Sequence, residues 1–111
     1  MKGAHLGELE ELVLLTAAVL DGNAYSVTIV DEILKQTKRN LTLSAVHTAL
    51  TRLEQKGFVN SYMGGSVAER GGRRRRLYKI TASGFSKLND AREMRSRMWK
   101  VMPEFKFDFN C

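Results

Sequence analysis

Between residues 70 and 81 the chain reads Arg-Gly-Gly-Arg-Arg-Arg-Arg-Leu-Tyr-Lys-Ile-Thr, which holds six basic groups and no acid. Arg70 precedes two glycines that free the backbone to turn, and Arg73, Arg74, Arg75 and Arg76 follow as an unbroken run. Adjacent guanidinium groups repel unless an anion lies across them. Each can grip phosphate oxygens through paired hydrogen bonds, so a nucleic-acid backbone is the natural partner. The plain alternative is a solvated charged hairpin tip.

A second set of residues makes the anionic partner the better reading. Residues 44–56 have helical periodicity, with Val46, Ala49, Leu50 and Leu53 on one face. The other face presents Ser44, Ala45, His47, Thr48, Thr51, Arg52 and Gln55: small or polar side chains with little acid. Exposed helices usually mix Glu and Lys on that side, whereas this one suits base edges. His47 reads either as a contact to base or phosphate or as a tolerated exposed residue. Arg52 reads equally as a phosphate contact or as a structural ion pair.

These groups need a frame that sets them side by side. Residues 6–20 predict a first helix, with apolar side chains beyond one stripe, and Asp21-Gly22-Asn23 stops it. Residues 25–37 predict a second, with Val27, Val30, Ile33 and Leu34 inward. The third, 44–56, takes Thr42 or Ser44 as its N-cap and Gly57 as a left-handed C-terminal cap. Residues 58–63 and 74–80 alternate as strands around a loop over 64–72. Thr81 caps a last helix that runs to about Met102, with Pro103 beyond. The expected fold is mainly α with a two-stranded β-hairpin: a winged helix-turn-helix over 1–81, and a C-terminal dimerisation helix with its tail over 82–111, in one compact unit. The third helix would enter the major groove while the hairpin arginines follow the neighbouring backbone or minor groove.

The last helix carries more apolar side chains than a small core can cover. Met94, Met98, Trp99 and Met102 on it, with Leu12, Val13 and Leu15 on the first helix, predict burial against a second copy of the chain. Trp99 reads as packing ahead of a ligand platform. Should a pocket form between the two last helices, a small aromatic effector would suit the tryptophan and methionines. Phe105, Phe107 and Phe109 alternate with Lys106 and Asp108, as an added strand or a flap docked on the dimer.

Composition bounds the rest. The 111 residues allow one small core, and the net charge of +6 suits a polyanionic partner. There is no apolar run of about 18 residues and no signal-peptide succession, and the single cysteine, Cys111, has no partner in the chain. A cytoplasmic protein without membrane contact is expected.

The chain resembles the PadR family of bacterial transcriptional regulators, particularly its short members with a single C-terminal helix. The likeness runs through Leu6-Gly7-Glu8-Leu9-Glu10, Gly22-Asn23-Ala24-Tyr25, Leu43-Ser44-Ala45-Val46 with Leu50, Arg52-Leu53-Glu54, Gly57-Phe58-Val59, Gly71-Gly72-Arg73-Arg74, Tyr78-Lys79-Ile80-Thr81 and Gly84. That resemblance implies a homodimer held by the first and last helices, bound as a repressor to a pseudo-palindromic operator in double-stranded DNA. His47 stands where the family usually has Tyr, and Thr51 where it often has Lys. Arg95 falls where multidrug-sensing members place a stacking tryptophan, with Trp99 one turn further on, and the resemblance then implies an anionic or polar effector at that place.

Two other functional classes fit the residues less well. Catalysis has little support, because His5 and His47 are the only histidines and no carboxylate pair sits with a base. No Cys/His spacing suits zinc, and no cofactor fingerprint is present. A winged helix serving only as a protein-interaction module is the alternative, since the fold does not dictate function.

Overall fold

A computed structural model describes residues 5–64 and 75–108. In chain order the elements are α1 (Glu8–Val19), α2 (Ser26–Thr37), α3 (Leu43–Gln55), β1 (Val59–Met63), β2 (Arg76–Ile80) and α4 (Ala82–Val101). The architecture is mainly α with one antiparallel hairpin, as expected. Arg70, Arg73, Arg74, Phe109 and Cys111, with most of the expected loop, lie outside the described residues.

Local chemistry sets the boundaries. Thr42 Oγ1 accepts from the Ala45 N–H at 3.0 Å, and Thr81 Oγ1 accepts from the Gly84 N–H at 3.0 Å, so each threonine satisfies an otherwise unpaired helix-start donor. The Gly7 N–H donates to Glu10 Oε1 at 3.3 Å at the start of α1, and the Tyr25 N–H donates to Thr28 Oγ1 at 3.0 Å at the start of α2. Gly57, with φ of 81°, closes α3 and turns the chain into β1.

The core lies where α1, α2 and α3 meet under the hairpin. Leu14, Ile29, Ile33, Leu50, Leu53, Val46 and Val59 are fully enclosed, with Phe58 and Tyr78 closing the hairpin side. The inner face of α3 is the expected one. On α2 the expectation is half right: Ile33 is buried, but Val27 and Leu34 are exposed and Ile29 fills the core instead. Within a 3.6-residue period Ile29 and Ile33 form one narrow stripe, and Val27 lies off it. Val13 is also reassigned. It is 0% exposed within the single chain and belongs to this core, so it is not a free interface residue.

The strands pair from Val59 opposite Ile80 to Met63 opposite Arg76. α4 leaves from β2 and meets the rest of the chain near its first turn, where Gly84 is buried. A Cβ there would overlap the Phe58 carbonyl oxygen and crowd Ile80 Cγ1 at 3.0 Å. Gly84→Ala is therefore expected to cost about 1–3 kcal/mol of stability, measurable by urea unfolding. Further along, Leu88 packs at the core edge and Arg95 reaches Glu11 of α1, and past that point α4 leaves Met98 and Trp99 exposed. The tail to residue 108 adds no strand among the described residues, and Phe105 stacks on Phe107 with ring centroids 5.6 Å apart.

Candidate nucleic-acid interface

The outer face of α3 is built as its sequence dictates. With Val46, Ala49, Leu50 and Leu53 pinned inward, the helical period turns Ser44, His47, Thr48, Thr51, Arg52 and Gln55 out, and all six are exposed. His47, Thr48, Thr51, Arg52 and Gln55 line one shallow depression of about 310 Å³. Ala45 is half-buried beside the N-cap, so its contribution is shape more than chemistry. Arg52 forms no ion pair among the described residues, which leaves its charge to the outside.

The end of α3 is anchored. Lys56 Nζ bonds to Glu10 Oε1 at 2.6 Å and to the His5 carbonyl oxygen, joining the end of α3 to the start of α1. Burial alone would push the Glu10 carboxyl up. The Lys56 hydrogen bond, the Gly7 N–H and the charges of Lys56 and Arg52 outweigh it and hold the carboxyl below its ordinary 4.5. A carboxyl lowered by folding contributes stability above pH 4.5, lost as pH falls through the lower folded value. Replacing Lys56 with Met removes the strongest opposition to burial and leaves only the Gly7 N–H and the Arg52 charge against it, which disfavours the charged form relative to the parent. Lys56→Met should thus cost about 1–3 kcal/mol at pH 7, and the gap to the parent should narrow on acidification in urea unfolding at pH 7 and pH 3.5. Nothing in the residue type of Glu10 announces its burial; the signal is its helical spacing with Val13 and Leu14.

At the hairpin the two described arginines separate. Arg75 is exposed, with its guanidinium carbon 4.7 Å from the centre of the Tyr25 ring. Arg76 donates to Ser61 Oγ at 2.9 Å, and Ser61 in turn donates to Glu54 Oε2 at 2.7 Å. This relay ties β2 through β1 to α3. Ser61 and Arg76 are diagonal neighbours on one face of the hairpin, a relation available from the strand alternation once the register is known. Lys79 is held by Asp21 at 2.9 Å, and that partner raises its pKa. Of the described basic groups here, Arg75 remains the one without an anionic or hydrogen-bonded oxygen partner.

The second predicted cluster stays largely open. Leu12 packs at the core edge, while Leu15, Met94, Met98, Trp99 and Met102 are exposed, Trp99 at 71%. Met98, Trp99, Val101 and Met102 border a depression of about 320 Å³. Arg95 does not stand free in it: its Nη2 pairs with Glu11 Oε1 at 3.2 Å across to α1. No helix among the described residues is long and apolar enough to cross a membrane, and no group of three or more His, Cys, Asp or Glu among them could hold a metal ion.

The fold recurs in solved proteins. A PadR family transcription regulator from Clostridium difficile superposes with a TM-score of 0.69 at 24% identity, over 86% of this chain and 95% of that one. A transcriptional regulator from Clostridium thermocellum gives 0.66 at 24%, over 84% and 87%. A PadR-like regulator from Bacillus cereus gives 0.68 at 16%, over 84% and 85%. No curated protein matches the sequence. The model of the transcriptional regulator PadR-like family matches residues 14–90, which span α2, α3, the hairpin and the second half of α1 as well as the first turns of α4. With that match over more than half its length, the chain belongs to the PadR-like family of transcriptional regulators.

Proposed function

We propose that the protein is a sequence-specific DNA-binding regulator that acts as a homodimeric repressor. The observation that carries this reading is the exposed, acid-poor outer face of α3, His47, Thr48, Thr51 and Arg52, flanked by the arginine hairpin. In this reading α3 enters the major groove and reads base edges, while Arg75 and the preceding arginines neutralise phosphates. The exposed apolar stretch of α4, with Leu15 of α1, supports pairing with a second copy, which presents two α3 helices to a pseudo-palindromic operator. Residues 1–81 then serve as the reading unit and 82–111 as the pairing unit. A small-molecule effector would enter between the two α4 helices beside Trp99. Because Arg95 is already neutralised by Glu11, aromatic ligands suit that place better than anionic ones.

The test is a nuclease footprint on the DNA upstream of the protein's own gene, followed by affinities for the protected site and for unrelated duplex. His47→Ala and Thr48→Ala should each lose about 1–3 kcal/mol on the protected site and little on unrelated DNA. Equal losses on both would mean that these side chains position the protein without reading sequence. No binding to any duplex would leave a protein-interaction module.

A further inference from the structure

The hairpin is laced to the turn before α2 by three contacts that the reading above does not use. The Tyr78 N–H donates to the Ala24 carbonyl oxygen at 2.8 Å, Lys79 pairs with Asp21, and the Arg75 guanidinium lies over Tyr25. Residues 75, 78 and 79 thus run along residues 25, 24 and 21. Ala24 is fully buried, and the Tyr25 N–H is fixed by Thr28, whose hydroxyl also donates to the Asn23 carbonyl at 2.7 Å. The Tyr25 ring therefore projects from backbone held on both sides.

A guanidinium over an aromatic face keeps its N–H edges for other partners, and those edges match phosphate oxygens. An unsupported arginine loses rotamer freedom when it grips a phosphate. One already held on a ring has lost part of that freedom before DNA arrives, so its contact is tighter. Arg76, next in sequence, gives one guanidinium N–H to Ser61 on the β1 side, so the strand alternation leaves Arg75 as the arginine on the Tyr25 side.

We propose that Tyr25 is a positioning residue for DNA binding, whose ring holds Arg75 ready for a backbone phosphate beside the start of α2. The proposal rests on the DNA-binding reading above. Its test is a set of duplex affinities, by fluorescence anisotropy, for the parent, Tyr25→Phe, Tyr25→Leu, Arg75→Ala and the Tyr25→Leu/Arg75→Ala double variant. Tyr25→Phe keeps the ring and should stay within about twofold of the parent, whereas Tyr25→Leu should weaken binding about 5- to 30-fold for the two contacts of a dimer. The double variant should bind no more weakly than Arg75→Ala alone. A urea midpoint for Tyr25→Leu equal to that of Tyr25→Phe guards against a folding defect in the former. An undiminished Tyr25→Leu loss in the Arg75→Ala background, or Tyr25→Phe binding as weakly as Tyr25→Leu, would overturn the proposal while DNA binding itself stood. A parent that binds no duplex would sink the DNA reading and this inference with it.

Discussion

Affinity for duplex DNA is expected to fall by roughly three to four decades between 50 and 200 mM monovalent salt. If each protomer neutralises three or four phosphates, a dimer contacts about six to eight, and the log–log slope lies near −5 to −7. The structure narrows which groups supply it. Lys79 is already matched by Asp21, so it displaces fewer counterions than its charge suggests. Arg75 keeps its hydrogen-bonding edges free, so Arg74→Ala with Arg75→Ala should flatten the slope and weaken all sequences alike, whereas Lys79→Ala should change it less. A slope near zero in the parent protein would remove the electrostatic mechanism.

The second large effect is expected at Trp99. In the single chain its side chain is 71% exposed, with Met98 at 64% and Val101 at 79% beside it. So much apolar surface on adjacent turns of one helix is costly in water and is relieved by a partner. In the proposed dimer Trp99→Ala should cost about 3–5 kcal/mol for a ring that becomes enclosed. Because fold and pairing are linked by mass action, the parent's urea midpoint should rise with protein concentration, and the variant should sediment as a monomer over a wider range. A midpoint independent of concentration in the parent, unchanged by Trp99→Ala, would contradict the pairing of α4. In a dimer that survives, saturable quenching of Trp99 by planar aromatics would mark the effector site, and its absence would leave Trp99 as packing.

What the amino-acid sequence determined by itself is the part written in short-range chemistry. The periods of α1, α3 and α4, the threonine caps at Thr42 and Thr81, the left-handed Gly57 and the hairpin alternation each depend on neighbours within a turn or a strand pair, so they were legible without the fold. The polar outer face of α3 was legible for the same reason: once its apolar stripe is buried, the opposite stripe has to be exposed. What only the tertiary structure decided is the fate of side chains whose partners lie far along the chain. Val13 and Leu15 look alike in sequence, yet the docking of α1 on α3 encloses the first and leaves the second outside. Glu10 is ordinary among its acidic neighbours until Lys56, 46 residues on, reaches it. The arginine run reads as uniform charge, but the register of β1 on β2 sets Arg76 beside Ser61, and the turn before α2 brings Tyr25 beneath Arg75. Composition fixes how much charge and apolar surface the chain carries. Packing decides which of it is left to meet DNA, a second copy or solvent.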